Sequence, residues 1–207
     1  MSHPSHAAPQ AMPRLDLYAP IHKALRAWMF DTVLRVGRTD GVDAAVLQQT
    51  LSRVESLLLI CEAHIHHEQV FLHPLLEQAR HHAAREADQA HLDHAREIAR
   101  LRDRVWQVRE AGADMRGGAL MTLYRELALF TAENLTHMHW EETVHNETLW
   151  ASYTDAQLMQ THDALVQSIG AQEMAETLRH MLPALSPCER IGMLSDMRAK
   201  MPPGAFE

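Results

Sequence analysis

The stretch HIHHEQVFLHP, residues 64–74, carries four histidines and one glutamate in eleven residues. It continues an apolar run that reads as a buried helix, so the phase of that helix decides what the histidines do. At 3.6 residues per turn, Leu57, Cys61, His64, Glu68, Phe71 and Leu75 fall on one stripe. His66 lies about 200° around the helix from His64 and points away from that stripe. His67 flanks it, and His73, just before Pro74, reads as structural. A dense block of imidazole thus reduces to one inward pair, His64 and Glu68, four residues apart on the same face.

The pair has a counterpart. HMHWE at 137–141 matches HIHHE at 64–68, with Met and Trp in place of Ile and His. Its stripe is Leu123, Leu127, Phe130, Asn134, His137, Glu141 and Val144, with His139 outward and His145 at the edge. Two further helices carry histidines on their apolar faces. His22 leads into Leu25, Met29, Val33 and Val36, while His91 and His94 lead into Ile98, Leu101, Val105 and Val108. His22 precedes His64 by 42 residues and His94 precedes His137 by 43, which describes two helical hairpins of one layout.

Proline, glycine and capping signals set the boundaries. Pro20 suits a first helical turn, where a missing N–H costs nothing, and TDG at 39–41 ends that helix near residue 38. A second helix starts near Asp43 and should kink or end at Pro74. A third covers about 84–111, up to Gly112, and a fourth about 119–150. Long helices with short connections predict an all-α, antiparallel up-down four-helix bundle over 15–151. Residues 1–14 read as a flexible leader, in which His3 and His6 are read as disordered. Residues 152–207 read as a helical extension on the bundle or on a partner. There TDAQ (154–157) and SPCE (186–189) are capping boxes, Gly170 and Pro183 punctuate, and about three shorter helices result. MPPGAFE closes the chain as a loop. Met159, Met174, Met181, Met193 and Met197 give these helices a soft apolar face, turned to the bundle or to a second copy in a homodimer.

Composition narrows the function. The 207 residues carry a formal net charge of −8 with neutral histidine, which speaks against nucleic acid as a partner. No apolar run reaches the roughly 18–20 residues of a membrane span, and the start lacks a signal-peptide core. Two cysteines without a CxxC give no redox motif, and the default compartment is the reducing cytoplasm. No Ser–His–Asp set or phosphate loop stands out, so an enzyme is not the expectation.

Buried carboxylates are costly unless paired or bound to metal. Two glutamates and several histidines converging in one bundle suit iron, with manganese or zinc as substitutes. The candidate ligands are His22, His64, Glu68, His91, His94, His137 and Glu141. In this set His22, His64, His94 and His137 supply imidazoles, Glu68 and Glu141 bridge, and His91 is a further ligand or a supporting group.

Over residues 15–150 the pattern resembles the hemerythrin-like, or HHE cation-binding, family. HIHHEQV at 64–70, IHKALR around His22, DHAREI around His94 and HMHWEE at 137–142 look like its four ligand segments. Oxygen-carrying hemerythrins have third-helix histidines four apart and an aspartate five residues after the fourth-helix histidine. Here the third-helix spacing is three, Glu141 lies at plus four and Glu142 at plus five. The chain is closer to the His-x-x-x-Glu form of hemerythrin-like iron proteins linked to nitric oxide or iron–sulfur repair. The resemblance implies two iron ions with an oxo or hydroxo bridge, and a role in binding or sensing O2 or NO or in handling iron. The alternatives are a metal-responsive module that signals through its C-terminal helices, or a structural bundle loaded with zinc or manganese.

Overall fold

A computed structural model of the chain describes residues 14–200, and every described element is helical. Four long helices form the body: α1 (Ala19–Gly37), α2 (Ala44–His67), α4 (Arg85–Glu110) and α5 (Ala113–Trp140). Short helices continue two of them, α3 (His73–Ala79) after α2 and α6 (Asn146–Ser152) after α5. Three more follow, α7 (Asp155–Ser168), α8 (Ala171–Ala184) and α9 (Pro187–Lys200). The leader's residues 1–13 and the closing MPPGAFE lie outside the described residues. Arg14 is tied down by Asp155 (2.6 Å) and by the carbonyls of Trp150 and Tyr153.

Each long helix touches two others, α1 and α4 both packing on α2 and α5. Cross-helix pairs fix the directions. Asp31–Arg53 and Arg35–Gln49 join α1 to α2. Glu62–Arg102 and Glu55–Arg109 join α2 to α4, and Arg104–Glu126 joins α4 to α5. With the His94–His137 ring contact as a second pair between α4 and α5, the residue number rises on one helix as it falls on the other at each of these three junctions, so these neighbours run antiparallel. The interior of this ring is apolar over most of its length, with Leu51, Val54, Leu57, Ile98, Leu101, Leu123 and Leu127 fully buried.

The starts follow from local chemistry. Asp43 caps α2 by accepting from the amides of Ala45 and Val46. Thr154 and Gln157 form the expected capping box of α7, and Ser186 and Glu189 that of α9. Gly41 turns the chain between α1 and α2 at φ +78°, where a Cβ would also meet the Arg116 side chain at 2.8 Å. Two boundaries differ from expectation. Helix α5 begins at Ala113 and runs through Gly117 and Gly118, which face open space. Pro183 lies inside α8, one residue from its end.

The main departure is at Pro74, where the helix neither ends nor breaks. The backbone widens into a π turn over Glu68–Leu72, in which the His73 N–H donates to the Glu68 carbonyl, and α3 then carries on. The same turn recurs over Glu141–His145, with the Asn146 N–H donating to Glu141. Each π turn starts at the glutamate of a His-x-x-x-Glu pair and shifts the helix phase by one residue. The buried residues beyond it are therefore Leu72, His73 and Leu76 rather than Phe71 and Leu75. In the other copy of the repeat they are His145, Asn146 and Leu149 rather than Val144. Such one-turn π insertions concentrate at functional sites.

Outside the ring, α8 lies along α1. Met181 and Leu185 pack on Ala24, and the ring of His180 stacks on Trp28 with centroids 3.4 Å apart.

Candidate metal centre

Six side chains meet at the end of the ring that holds the two π turns. Helix α1 brings His22, α2 His64, α4 His91 and α5 His137, and the π turns bring Glu68 and Glu141. They form two groups of close-set donor atoms that share both glutamates: His22, His64, Glu68 and Glu141, and His91, His137, Glu68 and Glu141. Glu68 Oε1 faces His64 Nε2 (3.3 Å) and His22 Nε2 (3.7 Å), while its Oε2 faces His91 Nε2 (3.2 Å). Glu141 Oε2 faces His22 Nε2 (3.5 Å), and its Oε1 faces His137 Nε2 (3.1 Å) and His91 Nε2 (3.7 Å). Each carboxylate thus presents one oxygen to each pair of imidazoles, which is the arrangement of a bridging ligand.

These four nitrogens and four oxygens are all buried, and among the described residues none has a hydrogen-bond partner. Buried polar groups are almost always satisfied, and leaving a charged one unsatisfied costs several kcal/mol. Eight such atoms converging on one spot fit cations as their common partner, and imidazole with carboxylate suits iron, manganese or zinc. The residues can therefore hold metal ions, and two ions would use every donor.

The electrostatics agree. Burial opposes charge on His22, but the carboxylates of Glu142 and Glu68 outweigh it and raise its pKa to about 9. Burial likewise opposes charge on His91, and Glu141 and Glu68 raise it to about 9. Burial pushes His64 down to about 4. Burial would raise the Glu68 carboxyl, yet His64, His22 and His91 hold it well below the usual range. Burial and the neighbouring charge of Glu68 would raise Glu141, and His137 and His91 bring it to about 2. Without a metal, two protons on imidazole balance two carboxylates, and cations would displace those protons.

A second layer orients the ring nitrogens. His22 Nδ1 donates to Glu142 Oε1 (3.1 Å), and Arg26 clamps both oxygens of Glu142 (2.6 and 2.9 Å). This carboxylate–histidine pairing fixes the tautomer that turns Nε2 toward the centre. On the other side, His91 stacks against His73 (centroids 4.9 Å apart), and His73 Nδ1 is bonded to Asp88 (2.7 Å). Tyr18, almost fully buried, shares a hydrogen bond with His145 Nδ1 (3.1 Å).

The placement revises several sequence expectations. His91 occupies the place given to His94. Three residues further along α4, His94 lies outside both groups, edge-on to His137 and Phe130 (centroids 5.0 and 6.0 Å apart). The near-equal spacings of 42 and 43 residues pointed to His94, whereas the pair brought together, His91 and His137, is 46 apart. Glu141 is the shared carboxylate, and Glu142 supports His22 instead. His66 and His139 are exposed as expected, and His67 reaches Glu173 of α8 (3.6 Å). His73, read as structural, and Tyr18, read as nothing, both belong to the surroundings of the centre. His73 was hidden because it lies about 140° from Glu68 on a regular helix and only the π turn brings it inward. Tyr18 precedes its helix and carries no periodic signal.

No helix among the described residues is long and apolar enough to cross a membrane. No family model, curated protein or solved structure matches this chain.

Proposed function

We propose that this chain is a hemerythrin-like metalloprotein: an up-down four-helix bundle that holds a non-haem di-iron site and uses it to bind or sense O2 or NO, or to handle iron. The observation that carries this reading is the pair of glutamates, each with one unpartnered buried oxygen toward each pair of imidazoles. Four helices, a His-x-x-x-Glu pair on two of them and a histidine on each of the others support the family resemblance. His22 and His64 would hold one ion, His91 and His137 the other, and Glu68 and Glu141 would bridge. A ferrous pair held there would supply the electrons and the open positions that a diatomic ligand needs. The chain's part is to set the imidazole tautomers through Glu142, to keep the centre at a buried end of the ring, and to supply two anionic bridges.

The test is metal analysis of protein purified with iron. The expected result is about two ions per chain, one for each imidazole pair, with the near-ultraviolet absorption of a bridged ferric pair. Glu68→Ala removes a bridge shared by both ions and should empty the site. A Glu68→Ala protein that keeps its full iron content would overturn the assignment.

A further inference from the structure

The three C-terminal helices enclose a chamber that the metal site does not require. It has a volume of about 470 Å³ and lies between α7, α8 and α9 on one side and α1, α2 and the segment before α1 on the other. Met159, Met174, Met181, Met193 and Met197, the five methionines that stand out in this part of the sequence, all line it. Met174, Met193 and Met197 are only partly buried and border this space, Met193 also packing on Met181 and Leu185. His64 and Glu68 line it too, so the chamber reaches the edge of the metal centre. Both oxygens of Glu68 are unpartnered, and the residue is 2% exposed.

We infer that this chamber is a binding site for an uncharged apolar organic molecule, an aliphatic chain or a fused aromatic, whose one polar end meets the His64–Glu68 edge. The size fits: small-molecule sites span roughly 300–1,000 Å³, and a cavity of about 150 Å³ already holds benzene. The wall chemistry fits as well, since methionine is flexible and polarizable and adapts to apolar guests of varied shape. Charge selects against anions. Glu68, Asp163, Glu173 and Asp196 border the space, and the one lysine there, Lys200, is held by Asp163 (2.8 Å) and Asp196 (3.1 Å). That clasp joins α7 to α9 at the rim, and among the described residues it ties up the one lysine that an acidic headgroup could meet there. The inference rests on the metal reading only for what lies at the chamber floor.

The probe is 1-decanol, titrated by calorimetry into the full-length protein as purified and again after exhaustive chelation. The expected result is one molecule per chain in both, with a negative heat-capacity change from apolar burial. Met174→Trp on α8 and Met197→Trp on α9 fill the chamber from two walls, and each should weaken binding at least tenfold while leaving helix content and iron content unchanged. Absence of binding, or wild-type affinity in both filled variants, would overturn the inference. So would decanoate that binds the chelated protein as tightly as decanol, or decanol that binds only after residues 201–207 are deleted. The two readings fail separately: decanol binding to a protein that takes up no iron sinks the metal assignment alone, and iron-loaded protein that refuses decanol sinks this one alone.

Discussion

The two helical hairpins repeat the same ligand layout on different supports. The first supplies His22, His64 and Glu68, the second His91, His137 and Glu141, and each ends its His-x-x-x-Glu pair in a π turn. Behind His22 stands a fixed acceptor, Glu142, locked by Arg26. Behind His91 there is none among the described residues: its Nδ1 is buried without a partner, and the ring of His73 stacks on it. The positions where the π turns end differ too, Leu72 and His73 in the first hairpin against His145 and Asn146 in the second. The two hairpins thus bring the same residue types to the centre, while the surroundings differ, and the two His/Glu groups are chemically unequal.

The largest effect should come from separating the halves. His22→Ala and His91→Ala each remove one ligand from one group, and each should lower the iron content from two ions toward one. Mössbauer spectra should lose a different component in each variant. If both variants lose the same component, the two groups do not bind separate ions.

A pH titration of metal affinity should show the next largest effect. His22 and His91 each hold a proton to about 9 without metal, and both protons must leave when cations bind. Affinity should therefore rise from pH 7 to 9, at most about 100-fold per unit for two protons, and level off above. The stability of the chelated protein should run differently. The raised pKa values of His22 and His91 contribute stability that is complete below about 6.5 and lost as pH rises through about 9. The lowered values of His64 and His94, about 4, contribute stability that is complete above about 6.5 and lost as pH falls toward 4. Thermal melts of chelated protein should peak near pH 6.5. A monotonic rise to pH 10 would contradict the assigned protonation of His22 and His91.

The smallest effect is Glu142→Gln. It keeps the shape but weakens the acceptor for His22, so affinity at that position should fall about 10- to 100-fold, with the His91 position unchanged. Equal weakening at both positions, read by competition with a chelator, would show that Glu142 acts on the whole centre.

Much of this was legible in the sequence because it depends on local repeats. Period 3.6 picked out His64, Glu68, His137 and Glu141 and turned His66 and His139 outward, and capping boxes marked the starts of α7 and α9. Neighbouring helix order followed from short connections. The ends of the ring were less legible. Phe71, Leu75 and Val144 were expected inside because a regular helix was assumed, and a π turn leaves no signature in apolar spacing.

The sequence by itself determined that the chain is helical, that four helices carry inward histidines and that two of them add a glutamate one turn on. Helical phase is a property of consecutive residues and can be read without a partner. Only the tertiary structure brought His91 rather than His94 to the cluster, set Glu142 behind His22, and decided what the methionines face. Those choices depend on how far helices slide along one another and where a π turn resets the phase. Such quantities are fixed by packing across the ring, between residues far apart in the chain.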